Sequence, residues 1–233
     1  FGSALESLNK KNQTNKNLQR YYDGGSPDDL WAIRSMGIDP ATGRELFLTK
    51  AGEPSFTYDS RQIIKAGNSR PDWVGVVGTS FQYGGFNVSL NMRYSFGGDQ
   101  FNRALFDKVE NITTAGLMQN QDKRALFDRW KKAGDVTSFK KIQLNDNWVG
   151  FGQPAADITD PSSRFIQKDN FITGESISLS YQFNSGWVSK YGLSNLQISG
   201  YMNDIFRIAS IKAERGIDYP FARSVSFSIR TNF

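Results

Sequence analysis

The sequence contains no cysteine and no histidine. The first absence excludes disulfide frameworks, thiolate metal sites and cysteine nucleophiles. The second removes imidazole ligands, the usual general base and every triad that depends on one. Only carboxylates, Lys and Tyr remain for acid–base work, so no catalytic, cofactor-binding or metal residue is assigned and the chain is read as a non-enzyme. Long apolar runs are also missing. No stretch approaches the roughly 20 residues that a membrane-crossing helix needs. A mean hydropathy of -0.50 does not exclude a transmembrane β-barrel, whose strands need only about 9–11 alternating residues. Charge of one sign is scarce too: 28 Lys+Arg against 23 Asp+Glu, a net +5, is too small and dispersed for a nucleic-acid footprint. The chain opens Phe1-Gly2-Ser3 without an export signal, which predicts that a signal was removed or that the true beginning lies upstream.

What is present is period-two alternation. From Phe86 to Phe96, the residues Phe86, Val88, Leu90, Met92, Tyr94 and Phe96 fall on one side and Asn87, Ser89, Asn91, Arg93 and Ser95 on the other. The last residues repeat this, with Val225, Phe227, Ile229, Thr231 and Phe233 opposite Ser224, Ser226, Ser228, Arg230 and Asn232. Between Phe171 and Phe183 the same rule sets Phe171, Thr173, Glu175, Ile177, Leu179, Tyr181 and Phe183 against Gly174, Ser176, Ser178, Ser180 and Gln182. Weaker strands are predicted from Trp73 to Tyr83 and from Asn195 to Asn203. Such strands have two different environments. Their length and the aromatics at their ends fit the girdled strands of a transmembrane barrel, and the Ser, Asn, Gln and Arg face suits a watered lumen.

Connection lengths point the same way. Gly84-Gly85 makes a two-residue hairpin, for which glycine supplies positive φ without steric cost. By contrast, 74 residues separate Phe96 from Phe171, and a long polar segment precedes Trp73. A compact soluble domain seldom carries two such connections, whereas outer-membrane barrels pair short periplasmic turns with long external loops. If the last strand ends at Phe233 on the periplasmic side, external loops fall at about residues 5–72, 97–170 and 204–221, and the tight turn falls inside. The same count makes Phe1 to Leu5 the outer end of an outgoing strand. Five strands cannot close a barrel and an open edge is not tolerated in hydrocarbon, so the chain is expected to be incomplete, with the missing part N-terminal.

Other motifs read as loop chemistry. Asp39-Pro40-Ala41-Thr42-Gly43, with Glu45 beyond it, lacks the carboxylate spacing of a calcium cage and reads as a proline turn. Asp157, Asp160 and Asn145-Asp146-Asn147 read as turn residues, and the pairs Asp107/Glu110 and Asp28/Asp29 as solvated loop carboxylates. Lys123 to Lys132 places Leu126, Phe127 and Trp130 at helical spacing, a basic helix expected to pack on neighbouring loops. Tyr21, Tyr22, Trp31, Trp130 and Trp148 could stack on sugars or pack between loops.

The segments Gly67-Asn68-Ser69-Arg70-Pro71-Asp72-Trp73-Val74-Gly75, Phe81-Gln82-Tyr83-Gly84-Gly85-Phe86 and Tyr94-Ser95-Phe96-Gly97-Gly98 together resemble the C-terminal barrel of SusC/RagA-type TonB-linked outer-membrane transporters. So do Arg34 to Glu45, Arg129-Trp130-Lys131-Lys132-Ala133-Gly134-Asp135, Ser163-Arg164-Phe165, Asn203-Asp204-Ile205-Phe206 and Tyr219-Pro220-Phe221-Ala222-Arg223. Ala133 departs from the proline frequent in the family's loop. The resemblance implies an all-β fold: residues 1–233 would be the C-terminal antiparallel strands of a 22-stranded transmembrane barrel, with the plug domain outside this chain. It further implies a nutrient importer in the outer membrane of a Gram-negative bacterium, importing oligosaccharide or oligopeptide beneath a SusD-like lipoprotein lid. Its other partners would be the rest of the barrel, TonB, ExbB and ExbD through the absent plug, the barrel-assembly machinery and lipid, with no nucleic acid and no cofactor. The alternative is a surface β-protein acting as an adhesin or structural binding module. Val225, Phe227, Ile229, Thr231 and Phe233 resemble the C-terminal assembly signal of outer-membrane clients; substrate-binding residues are left unassigned.

Overall fold

The computed structural model describes residues 2–15, 17–112, 122–142, 159–183, 186–211 and 224–232. Phe1, Asn145 to Asn147, Trp148, Asp157, Tyr219 to Arg223 and Phe233 lie outside the described residues. In chain order the strands are β1 (Asp29–Ala32), β2 (Arg34–Ile38), β3 (Glu45–Leu48), β4 (Pro54–Ser55), β5 (Ile64–Asn68) and β6 (Trp73–Tyr83). They continue with β7 (Phe86–Phe96), β8 (Asp99–Phe101), β9 (Ile166–Lys168), β10 (Phe171–Phe183), β11 (Asn195–Ala209) and β12 (Val225–Asn232). The chain divides into two units, residues 1–70 with 99–167, and residues 71–98 with 168–233.

The second unit is a five-stranded antiparallel sheet in the order β12-β11-β10-β7-β6. These are the five strands that the alternation predicts. Gly84 and Gly85 close the β6–β7 hairpin with φ of 55° and 92°, the two positive values of a type I′ turn, whose twist matches the flanking strands. Both long segments leave the sheet at one end: Trp73 pairs with Phe96, and Ser95 pairs with Phe171. Among the described residues β6 and β12 each pair on one side only, so the sheet is an open sector and not a closed barrel. β11 is longer than the alternation predicted. Arg207, Ile208 and Ala209 pair with Thr173, Ile172 and Phe171, so the loop expected to start at Asp204 starts beyond Ala209.

A β-bulge corrects the predicted face of β10. Gly174 pairs with Met92 and Ser176 with Asn91, leaving Glu175 as an extra residue. One inserted residue reverses side-chain parity on one side of it. Ile177 and Leu179 therefore share a face with Leu90 and Val88, whereas Phe171 and Thr173 stand with Ser95 and Arg93 on the polar face. Glu175 forms an ion pair with Arg93 at 2.5 Å. Deleting Glu175 should put one half of β10 out of register and abolish most of the membrane-inserted protein, while Glu175→Gln, which loses only the ion pair, should insert normally. Heat-modifiability of the intact parent protein on gels measures both, and equal insertion of the deletion would show that the bulge does not set the register.

The first unit contains a helix where the N-terminus was expected to end an outgoing strand. Helix α1 spans Gly2–Thr14. Its docking contacts are amides rather than an apolar stripe, which is why hydrophobic periodicity missed it. Asn9 donates to the Tyr21 carbonyl at 2.7 Å and accepts from the Tyr21 N–H at 2.8 Å, and Asn12 donates to the Gln19 carbonyl at 3.1 Å. The unit carries the sheets β1–β5 and β2-β3-β4 and the β8–β9 pair. Two small apolar clusters fill it: Val109, Ile112, Ala125 and Phe139, and Phe101, Phe106 and Phe165, whose rings lie 5.1–5.9 Å apart. The predicted basic helix is only Arg124–Phe127. Its buried residues are Ala125 and, just beyond it, Arg129, whereas Leu126 and Phe127 are 58% and 80% exposed.

Candidate functional site

The two faces of the five-stranded sheet differ. On one, Trp73, Val77 and Phe81 of β6 stand in register with Phe96, Met92 and Val88, and the row continues through Leu179, Gly200 and Phe227. This face is apolar yet open: Trp73 is 71%, Phe227 79% and Ile229 70% exposed. An apolar face of this extent marks contact with another apolar phase or surface. Val225, Phe227, Ile229 and Thr231 all lie on it, opposite Met202, Gly200, Ile198 and Leu196.

The other face carries mostly hydroxyls and amides, with Val74 and Val76 at its β6 edge. Ser89 and Ser178 share a hydrogen bond at 2.6 Å, and Asn91 donates to Ser176 at 3.1 Å. Toward the end from which the long segments leave, Arg207 lies over the Phe171 ring with its guanidinium carbon 4.3 Å from the ring centroid. Strict alternation missed Phe171 and Thr173 as members of this face. The available signal was Glu175 itself, because a carboxylate in an otherwise apolar row is costly and indicates a parity change.

In the first unit, residues distant in sequence meet at a buried ion cluster. Arg164 bridges Glu45 at 3.0 Å and Glu110 at 2.7 Å. Ser162 donates to Glu45 at 2.6 Å and Thr159 to Glu110 at 2.9 Å. Burial acts to lower the Arg164 pKa, but the two carboxylates outweigh it and hold the guanidinium above its ordinary value. Beside it, Arg129 donates to the carbonyls of Ala125 at 2.7 Å and Lys140 at 2.8 Å; its burial pulls its pKa down. Glu110 was read as a solvated loop carboxylate, and that is corrected: it is buried at 2% exposure, and Glu45, noted only beyond the proline turn, is buried at 6%. Asp29 is likewise buried, held by Lys65 at 2.7 Å and Asn68 at 2.6 Å. The Lys65 hydrogen bond leads in holding its carboxyl below the usual range.

The remaining motifs behave as turns and packing. Asp39 accepts from Ala41 and Thr42, and Gly43, at φ +70°, lies against Trp130, where a Cβ would clash with the indole ring. Trp130 donates from its indole to the Pro40 carbonyl at 2.8 Å, and Tyr22 packs on Trp31 with centroids 5.1 Å apart. These aromatics are engaged within the first unit.

No protein-family model matches the chain. It is 27% identical over 153 residues to TonB-dependent receptor P39 of Formosa agariphila, covering 64% of this chain and 13% of that relative. In fold it is similar to the solved RagAB peptide transporter, with a TM-score of 0.59 and 16% identity, and to the RagAB peptide importer in its open-open state, with a TM-score of 0.60. The aligned region covers 81% of this chain and 20% of those chains, so the chain spans a small part of the proteins it matches. Relative and fold neighbours bear out the resemblance carried by the motifs: the chain is similar in sequence to a TonB-dependent receptor and in fold to part of the RagAB transporter.

Proposed function

We propose that this chain supplies a wall sector and long external segments to a TonB-dependent nutrient importer in the outer membrane of a Gram-negative bacterium, and that it works by passage of cargo and not by reaction chemistry. The observation that carries this reading is the two-faced sheet: an exposed apolar face suited to lipid, an opposite face of hydroxyls, amides and arginines suited to water, and both long segments departing from one end. A charge on the lipid side is expensive and one in the lumen is tolerated, which is why the two rows differ in composition. The motif resemblance supports a SusD-like lipoprotein docked on the external segments and energy supplied by TonB, ExbB and ExbD through a plug carried elsewhere. The solved neighbours are described as peptide transporters, which favours oligopeptide over oligosaccharide as cargo.

The test is uptake by whole cells. Deletion of the parent gene, or of TonB, should abolish growth on a peptide or glycan that the wild type uses, and epitope tags near Asn120 and Asp157 should be detected on intact cells. Growth unaffected by loss of either would remove the importer reading and favour an adhesin. Labelling only after permeabilisation would invert the topology.

The end of β12 carries a separate proposal, that Val225, Phe227, Ile229, Thr231 and Phe233 form the signal for the barrel-assembly machinery, by addition of the strand to an exposed edge. Deleting Phe233 is expected to lower surface transporter at unchanged synthesis, read by surface immunoblot against total protein. Undiminished surface levels would show that the last strand carries no assembly information.

A further inference from the structure

We propose that the bulge in β10 builds an anion-selective station on the polar face of the sheet, with Arg207 and Arg93 receiving a carboxylate of the cargo. This rests on the importer reading and deepens it by naming a chemical feature of the substrate. Three observations converge. First, the register places Val76, Arg93, Thr173 and Arg207 in one cross-strand row. The two arginines are two strand spacings apart, about 10 Å, so their side chains can converge above Thr173. Second, both are positioned in advance. Arg93 is held by Glu175 at 2.5 Å, and Arg207 lies over the Phe171 ring at 4.3 Å, a cation–π arrangement available only because the bulge turns Phe171 to this face. Third, the site has unused capacity. Arg207 has no carboxylate partner among the described residues, so its guanidinium is free to take one from outside the sheet.

The charge of the surrounding wall agrees. Among the described residues paired across this face, the ionised side chains are Arg93, Arg207 and Arg230, with Glu175 at the bulge answering only Arg93. Asp204, at φ 50°, sits where the register skips from Phe206 to Asn203 and belongs to neither row. Elsewhere this face carries Ser, Asn and Gln together with uncharged Val74, Val76, Phe171 and Tyr201, none of which prefers a charged cargo. A planar guanidinium matched to a carboxylate supplies that preference. Since peptide C-termini, acidic side chains and uronic acids all present this group, the source is decided by experiment.

The full-length transporter, purified with its natural partners, would be titrated by fluorescence anisotropy with labelled peptides differing only in a free or amidated C-terminus, and with a labelled oligogalacturonate and its methyl ester. The wild type should bind the charged member of at least one pair more tightly. Arg207→Gln should weaken that probe about tenfold, as loss of a hydrogen bond to a charged group does, and leave the neutral member within about twofold. Arg207→Lys should retain part of the preference. Which pair responds identifies the source of the carboxylate. Added salt should weaken charged but not neutral probes in the wild type, a reading that needs no variant. Equal binding of charged and neutral probes, absence of binding by both charged probes, or an equal loss of all probes in Arg207→Gln, as expected if Arg207 instead meets the transporter's own plug, would each overturn the proposal. Loss of TonB-dependence in uptake would overturn the importer reading instead, leaving the binding result to stand or fall alone.

Discussion

Arg164→Ala in the intact parent protein is expected to destabilise the first unit by about 3–5 kcal/mol, the cost of stranding buried charge when one partner of an ion cluster is removed. Glu110 is fully buried and Glu45 nearly so, at 0% and 4% side-chain exposure, with Arg164 at 12%, so water cannot replace the lost guanidinium. Glu45 lies 119 residues from Arg164, and Glu110 lies 54 from it. The damage should therefore appear in both long segments at once. Hydrogen exchange should show lost protection in β2, β3 and residues 105–112, with the five-stranded sheet unchanged. The triple variant Arg164→Met, Glu45→Gln, Glu110→Gln strands no charge and should recover most of the loss. Unchanged protection in Arg164→Ala would mean that the cluster holds nothing together.

The pH dependence has a definite sign. Arg164 has a raised pKa, so its contribution is present at every pH below the ordinary arginine value and is lost only as pH rises past the raised one. No alkaline weakening is expected in the working range from this group. Asp29 and Asp135 have lowered values, Asp29 chiefly through Lys65 and Asp135 chiefly through the Lys132 N–H. Their contributions are present above the ordinary carboxylate value and are lost as pH falls through the lowered one. Protection of the first unit should therefore be flat from neutral to alkaline pH and decline below about pH 4.

Leu179→Arg is expected to cost roughly 2–4 kcal/mol in barrel stability if the apolar face meets the middle of the bilayer, while Ser178→Arg, one residue away, should be far milder. Leu179 shares its row with Val88 and Gly200, and Ser178 shares its row with Ser89 and Tyr201. Leu90→Arg and Ser89→Arg form the same contrast on β7. Urea titration of the refolded parent barrel in lipid measures all four. Equal damage from both sets would refute the assignment of faces. Some cost at Ser178 is expected from breaking the 2.6 Å hydroxyl contact with Ser89, about 1 kcal/mol for a neutral hydrogen bond.

The strands of the sheet were legible because each is long and faces two different media, which writes period two directly into the residue types. Gly84-Gly85 announced its turn because few other residues adopt two successive positive φ values. What was illegible had no local signature. Helix α1 docks through Asn9 and Asn12, whose amides look like surface residues in any hydrophobicity pattern. The extension of β11 through Arg207 lies beyond an irregular step at Asp204 that breaks the alternation. Glu110 looks like a solvated loop acid, and Glu45 like the residue after a proline turn, until Arg164 is brought to them.

Composition and alternation by themselves determined that the chain is a β-protein with one apolar and one polar strand face, that its two long connections join the same end of the sheet, and that thiol and imidazole chemistry are excluded. These follow from properties of single residues and their spacing. Tertiary structure decided the rest: which residues pair across strands, where the bulge at Glu175 exchanges the faces, and that Glu45, Glu110 and Arg164 meet. Each of these is a contact between residues far apart in sequence, and its energy depends on burial and geometry that no local pattern encodes.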